Sequence, residues 1–479
     1  MIDALRGEIE RLRAGTRPLE PDSAQRRALG EQVLGHALNF QDSIDTAPSL
    51  RPASETFAQR LDPEFDEAGR DIAPTLDFIT QCIENPGIAT TSPRFMGYVP
   101  GGGLFYSGLA DLLAASSNKY AGHPPAAPGA VRLEKACTEW LASAIDYPAT
   151  ARGTLTSGGS LANLTAIVAA REARDPDGGG AVYLTHFAHH CVDKALHIAG
   201  RGRSPRRLIA TDDRYRMSAA ALEQALEQDR QSGVRPWLVV ASAGTVDTGS
   251  IDPLPEIAEL CRRYGAWFHV DGAYGGLFRL CDEGKARLAG LELTDSVALD
   301  PHKTLFLPYG TGAALVREGQ HLLDAFSADA PYMHQANEAD VGPSPGDLST
   351  ELTRHFRALR LWLPLQLAGV APFRAAQAEK LALARYFHAR LSELDGWDPG
   401  PEPDLSVVAF RYLPKSGDVD DYNERLIKHV QDEGRVMLSG TRIGGSYRLR
   451  CAILCFRTHI EHVDECIAAL LRGVEALDG

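Results

Sequence analysis

Three short runs decide how this chain folds: WLVVASAG at 237–244, WFHVDGA at 267–273 and SVALD at 296–300. Each is apolar nearly throughout, and each ends in small or acidic residues. That is the pattern of a strand covered on both faces. Working outward, GTLTS (153–157), AVYLT (181–185), RRLIAT (206–211) and GAALV (312–316) have the same texture. Helical patterns lie between the runs, at 160–173, 189–200, 218–232 and 254–264. Strand and helix in alternation predict an α/β architecture, a mainly parallel seven-stranded sheet with helices on both faces. Ligands of such sheets sit beyond the carboxyl ends of the strands. Functional residues are therefore expected just after each run.

The flanks read differently. Residues 1–50 predict two amphipathic helices, with Ile2, Leu5, Ile9 and Leu12 at helical spacing and breaks at Gly15, Pro18, Pro21, Pro48 and Pro52. So small a unit cannot bury its own apolar stripe, which must pack on the body of the protein or on a second subunit. A further helix is expected from Ile72 to Ile83, ending near Asn85-Pro86-Gly87. The segment at 327–350 (SADAPYMHQANEADVGPSPGDLST) is too long for a plain connection and is expected to be a mobile active-site loop. A helical stretch at 351–395, strands at 405–412 and 446–456 and a last helix at 460–477 complete a smaller C-terminal αβ unit. The expected organisation is a helical segment at 1–90, a large domain at 91–350 and a small domain at 351–479.

Composition narrows the function. The 479 residues are 44% apolar and 23% charged, which excludes wholesale disorder, collagen and a coiled-coil rod. Net charge is 49 − 63 = −14, so nucleic acid and anionic membranes are not expected partners. Eight cysteines lie at 82, 137, 191, 261, 281, 451, 455 and 466 with no CxxC pair, as expected of reduced thiols in a cytoplasmic protein and not of a metal site. Cys451 and Cys455 share the strand-like stretch YRLRCAILCF and read as core residues. No apolar stretch approaches the ~18 residues a membrane span needs, and MIDALRGEIERLRAG lacks the apolar core of a secretory signal.

Four motifs carry chemistry. Thr156-Ser157-Gly158-Gly159-Ser160 joins a strand to a helix, where free N–H groups and small hydroxyls make a phosphate cradle; alone it is equally a capped turn. Asp271 follows a buried strand in HVDGAY, where a carboxylate needs a partner such as a protonated ring nitrogen, or else caps the strand end. Lys303 in Asp300-Pro301-His302-Lys303 stands past another strand end, where desolvation favours a neutral amine nucleophile; in isolation it is also a plain turn lysine. His189 opens a helix after AVYLT and could stack on an aromatic ligand or cap the helix, with Cys191 read as packing. Together, in this order on one sheet, these are the parts pyridoxal 5′-phosphate (PLP) requires: an anion site, a stacking group, a pyridinium partner and a Schiff-base lysine.

With those residues in view, the chain resembles the group II PLP-dependent amino-acid decarboxylases, which include aromatic-L-amino-acid, glutamate and cysteine-sulfinate enzymes. The resemblance runs from about Asp62 to Arg457. It is carried by SPRFMGYVPGG (92–102), NKYAGHPPAAPGAVRLE (118–134), TSGGSLANLTAI, AHHCVDKA, SAGTVDTGSIDPL, WFHVDGAYGG, DPHKTLFLPYG, RHFRALRLW (354–362) and LRCAILCFRTH (449–459). It implies the type I PLP fold and a homodimer in which segment 118–134 reaches the neighbouring site. It also implies roles. Lys303 matches the Schiff-base lysine, Asp271 the carboxylate on the pyridine nitrogen, Ala273 the small residue under the ring and His189 the histidine above it. Thr245 matches a threonine near the phenolic oxygen, and Gly158, Gly159 and Ser160 match the phosphate cradle. His302 matches the histidine before the lysine. Tyr98, Gly101, Tyr120, His123 and Arg357 are candidates for contact with substrate; for Arg357 a structural ion pair is the stronger alternative.

Departures from the family pattern bear on the reaction. Asp300 stands where the family often has an asparagine that helps hold the phosphate, and its charge would repel phosphate unless it points away. Thr304 replaces the tryptophan of the aromatic enzymes, and with Gly101-Gly102-Gly103 it suggests a roomier pocket. Counting back from Arg357, the family's loop tyrosine, a proton donor, falls on Pro345 and Gly346; the loop's own tyrosine is Tyr332. The expected function is α-decarboxylation of an L-amino acid. The alternatives are decarboxylation coupled to oxidative deamination to an aldehyde, β-elimination from an S-conjugated cysteine, and a catalytically silent PLP-binding protein.

Overall fold

A computed structural model describes residues 1–52, 67–99, 101–327 and 343–479. The described residues group into two units, Met1–Ser92 and Pro93–Gly479.

In the first unit, helices span Ile2–Gly15 and Ser23–Ser43, separated by a tight turn at Arg17–Leu19. The second starts in a reciprocal cap: the Asp22 carboxylate accepts from Gln25 N–H, and the Gln25 side chain accepts from Asp22 N–H. Neither helix buries a residue, and Ile2, Leu5, Ile9 and Leu12 are 54–73% exposed. The helix expected to reach Ile83 is regular only over Ile72–Ile79. It widens into a π turn over Thr80–Glu84, closed by Asn85 N–H on Thr80 O at 3.0 Å.

The second unit is built on the seven-stranded sheet read from the sequence. Its strands are β1 (Arg152–Thr156), β2 (Ala181–Leu184), β3 (Arg206–Leu208), β4 (Pro236–Ser242), β5 (Trp267–Gly272), β6 (Ser296–Leu299) and β7 (Gly312–Val316), in the order β1-β7-β6-β5-β4-β2-β3. Only β7 opposes its neighbours; β2 to β6 pair in parallel. Alternate residues serve opposite faces, as the two-residue period of a strand requires. Val239, Phe268, Val297 and Leu315 enter one apolar cluster, and Leu238, Val240, Trp267 and Val316 the other.

The helix Gly159–Arg174 comes close to the sheet because Ala162 packs on Ala298 and Ala314. A buried polar chain then pins it. Asn163 Nδ2 donates to Gly159 O at 2.9 Å, and Asn163 Oδ1 lies 2.7 Å from His269 Nε2 on β5. His269 Nδ1 is 2.9 Å from Ser296 Oγ on β6, which also accepts from Trp267 Nε1 at 2.8 Å. Since the tryptophan can only donate, the serine hydrogen points to His269 Nδ1 and the imidazole donates from Nε2 to the Asn163 carbonyl. Every member is satisfied only while His269 is neutral.

A smaller antiparallel sheet follows, of β8 (Trp397–Asp398), β9 (Val407–Tyr412), β10 (Ser439–Ile443) and β11 (Ser446–Ala452), in the order β8-β9-β11-β10. Helices Val419–Asp432 and Ile460–Asp478 pack with it. Three readings are corrected. The stretch 351–395 is two helices, Arg357–Ala368 and Ala371–Ser392, split at Gly369 with φ +74°. β8 and β10 were not anticipated. The strand expected to reach 456 ends at Ala452, because its partner β9 begins at Val407 and the ladder runs out there. Cys455 therefore lies past the strand, although both it and Cys451 are buried.

Burial pushes the His269 imidazolium down to about 4, against ~6.5 for an unfolded chain. The unfolded state then binds more protons between those values, so stability falls as pH drops below ~6.5, by at most about 1.4 kcal/mol per pH unit from this one group, until ~4. Urea unfolding at pH 7.5 and pH 5 should show a larger loss of stability on acidification for the wild type than for His269→Gln. Equal losses would mean that the buried chain does not hold a neutral imidazole.

Candidate active site

The loops after five strands converge on one cavity of about 320 Å³. From β1 come Gly158, Gly159 and Ser160, which open the helix Gly159–Arg174 and leave its first N–H groups without intrahelical partners. From β2 comes His189, from β4 Thr245, from β5 Asp271 and Ala273, and from β6 Asp300, His302 and Lys303. Every cofactor-site residue expected from the sequence borders this one cavity.

The ionised groups are close together. Lys303 Nζ lies 3.0 Å from Asp300 Oδ2, and His302 Nε2 lies 3.6 Å from the same oxygen. Asp300 is 1% exposed. Burial alone would lower the Lys303 ammonium, but the carboxylates of Asp300 and Asp271 outweigh it, and the net shift is upward. The sequence predicted a lysine made neutral by desolvation; here the lysine keeps its proton because the carboxylates of Asp300 and Asp271 outweigh its burial. His302 goes the other way. Burial lowers it, Asp300 only partly offsets that, and its Nδ1 donates to Thr311 O at 2.8 Å. His189 is also lowered by burial, with Asp271 opposing, and its Nδ1 accepts from Cys191 N–H at 3.2 Å. Asp271 Oδ1 accepts from Ala273 N–H at 3.1 Å. The Thr245 hydroxyl lies 2.7 Å from that of Thr248.

Asp300 does not point away from the glycines. A Cβ added to Gly159 would lie 2.8 Å from Asp300 Oδ2 and 3.0 Å from Ala273 Cβ; one added to Gly158 would lie 3.2 Å from His302 Cε1. Asp300 Oδ1 is buried with no hydrogen-bond partner. The cradle is thus a space that only glycine leaves open, bordered by an unsatisfied buried oxygen. A glycine cradle at a helix start, an amine and a carboxylate at neighbouring strand ends, and a histidine beside them fit PLP.

The substrate candidates lie elsewhere. Tyr98 is 60% exposed. Gly101 packs directly on the His302 carbonyl, and Gly102 (φ +94°) on Cys455 and Phe456. The glycine run is therefore needed for close packing beneath the lysine turn; it does not widen the pocket. Thr304 is fully buried with its hydroxyl on Tyr274 O, inside the wall of the site. Arg357 makes a two-pronged ion pair with Glu351 at 2.8 and 2.9 Å. Tyr120 and His123 do not border the cavity within this chain, and His123 Nδ1 is buried without a partner. Tyr332 lies outside the described residues, as does most of the loop at 327–350. Pro345 and Gly346 sit in a short 3-10 turn, Pro345–Leu348.

Sequence reasoning missed Asn163 and Phe187, which line the cavity, and read Cys191 as packing although it lines it too. Asn163 Nδ2 lies 3.4 Å from Cys191 Sγ, coupling the two. The signal for Asn163 was available: it stands four residues after Gly159, on the same helix face.

The comparisons agree with this geometry. A family model described as the pyridoxal-dependent decarboxylase conserved domain matches residues 56–413. The chain is 32% identical over 453 residues to the aromatic-L-amino-acid decarboxylase of Bacillus atrophaeus, covering 93% of this chain and 94% of that protein. It is 26% identical over 466 residues to the phenylacetaldehyde synthase of Arabidopsis thaliana, covering 93% and 94%. The crystal structure of Catharanthus roseus tryptophan decarboxylase in complex with L-tryptophan superposes with a TM-score of 0.88 at 25% identity, over 96% of this chain and 99% of that one. A lysine, a carboxylate and a glycine cradle around one cavity, in a chain matched by that model over most of its length, make this protein a member of the PLP-dependent amino-acid decarboxylase family, with the type I fold.

Proposed function

We propose that the chain decarboxylates an aromatic L-amino acid. The observation that carries the reading is the convergence of Lys303, at the end of β6, and Asp271, at the end of β5, on one cavity. The aromatic preference rests on the relatives. When bound, PLP supplies an aldehyde for an amine to engage and a pyridinium ring that withdraws the electrons left by departing CO₂. The chain's own residues do the rest. Lys303 provides the amine. Asp271 keeps a proton on the ring nitrogen. His189 and Ala273 confine the ring from its two faces, with Thr245 at its edge. Gly158, Gly159 and Ser160 offer N–H and O–H donors to the phosphate. Tyr332 remains the proposed proton donor from the loop.

A second reading is favoured by the phenylacetaldehyde synthase relative and by Pro345 and Gly346 at the family's tyrosine position. Here one O₂ and one water are consumed for each amino acid, and aldehyde, CO₂, ammonia and H₂O₂ are released. An aromatic amino-acid panel incubated with and without air separates the two. Amine and CO₂ in equal amounts under both conditions support the first; O₂-dependent aldehyde and H₂O₂ support the second. Thiol, pyruvate and ammonia from S-conjugated cysteines without CO₂ would overturn both in favour of elimination.

Two variants test the site. Lys303→Ala should lose the yellow colour and the borohydride-stable cofactor adduct seen by mass spectrometry. Asp271→Asn should retain cofactor and lose at least 10²-fold in turnover, since each ~1.4 kcal/mol of barrier is tenfold in rate. Near-normal turnover would show that Asp271 does not serve the ring.

We further infer a homodimer with shared sites, in the cytoplasm. The dimer is supported by the uncovered stripe Ile2, Leu5, Ile9 and Leu12, since an apolar face of this kind marks an interaction surface. The compartment is supported by eight free, buried cysteines and by the lack, among the described residues, of any helix long and apolar enough to cross a membrane. On this reading residues 91–350 form the cofactor domain and 351–479 the small domain. Leu5→Asp combined with Ile9→Asp should shift the sedimentation coefficient toward monomer and lower activity. A wild type that sediments as a fully active monomer would overturn the dimer.

A further inference from the structure

We propose that capture of the cofactor's phosphate is proton-coupled, with one proton held between a phosphate oxygen and Asp300 Oδ1. The inference rests on the placement of PLP in this cavity and goes beyond it. Asp300 is 1% exposed and borders the cradle: its Oδ2 is 2.8 Å from where a Cβ on Gly159 would be, and its Oδ1 4.0 Å from one on Gly158. Its Oδ2 has a cation, Lys303 Nζ at 3.0 Å, but its Oδ1 has no partner. A buried, unpaired carboxylate oxygen is costly, and so is a second anion brought against it.

Loading the site removes the compensation. The Lys303 ammonium and the cofactor's aldehyde combine with release of one water and one proton, so Asp300 loses the cation facing its Oδ2 and that proton becomes available to the site. A phosphate monoester, whose second ionisation lies near ~6, then faces a carboxylate that has lost its cation. One proton between the two oxygens turns a repulsion into a charge-assisted hydrogen bond. The other titratable groups facing Asp300 do not supply that proton in place. From its own turn, His302 lies 3.6 Å away at Oδ2, donates its Nδ1 hydrogen to Thr311 O, and is held toward its neutral form by burial. From β5, Asp271 adds negative charge. From the loop after β2, His189 is disfavoured as a cation by burial, and the Cys191 thiol is pushed up to about 12, also by burial. The strand β1 and its glycine loop offer only Ser157 and Ser160.

The test is ³¹P NMR of the PLP-loaded protein from pH 6 to 9, for the wild type and Asp300→Asn, a substitution that keeps the shape and supplies an amide donor. The wild-type phosphate should resonate toward the monoanion position at neutral pH and move as pH rises. The Asp300→Asn phosphate should sit at the dianion position throughout. A wild-type phosphate that is already dianionic and unmoved by pH overturns the proposal, even if PLP uptake is pH-dependent, because the proton then resides on His302 or elsewhere. Failure of the placement looks different. Neither protein would then take up PLP or show a bound phosphorus resonance at any pH.

Discussion

Everything in this site depends on one ammonium group set against two carboxylates. Lys303 lies 3.0 Å from Asp300 and feels Asp271 from the next strand. Remove the lysine, and two like charges are left at neighbouring strand ends. Remove the carboxylates, and a buried cation stands alone. The cost of either is a matter of several kcal/mol per uncompensated ion. The arrangement is therefore stable only as a set, and it is poised for exchange. A ligand that engages the lysine nitrogen must bring compensating charge of its own, and a protonated ring nitrogen opposite Asp271 is such a charge.

The scaffold delivers this set by simple means. Parallel strands carry their carboxyl ends to one edge, so residues far apart in sequence, from Gly158 to Lys303, meet without long loops. Position along the depth of the sheet is then fixed by the buried chain from Gly159 through Asn163, His269 and Ser296 to Trp267. It locks the helix Gly159–Arg174 to β5 and β6, the two strands that lead to Asp271 and Asp300. Below the lysine turn, Phe306 adopts a left-handed conformation (φ +63°) and its carbonyl accepts from Leu104 N–H at 2.8 Å. Such strain persists only where the surroundings enforce it. Here Gly101, pressed on the His302 carbonyl, and Phe456, 5.8 Å from the Phe306 ring, hold the turn from beneath.

The strands and their polar ends were legible because burial on two faces leaves an unbroken apolar run and because a charge just after such a run has to be explained. Asp271 and Lys303 stand out for that reason. What was not legible depends on three-dimensional neighbours. Whether Lys303 is neutral or charged turns on how Asp300 and Asp271 face it, which no linear spacing specifies. Gly101-Gly102-Gly103 looks like an enlarged pocket until the backbone beneath it is seen to exclude a Cβ. Thr304 looks like an emptied substrate site until its hydroxyl is found bonded inside the wall. The short strands Trp397–Asp398 and Ser439–Ile443 were missed because the first is two residues long and the second, SGTRI, reads as polar edge sequence.

The choice between amine and aldehyde comes down to which group returns a proton to the substrate carbon once CO₂ has left. Among the described residues that line the cavity, most are poor acids near neutrality. The Cys191 thiol and the Tyr274 hydroxyl are both pushed up to about 12 by burial, and the tyrosine is tied to Ser406 at 2.8 Å. His189 and His302 are driven toward their neutral forms by burial. Lys303 holds its proton more tightly than a free amine does, because two carboxylates favour its ammonium form. The proposed donor, Tyr332, lies outside the described residues, and on these shifts no residue that lines the described cavity is an acid suited to neutral pH.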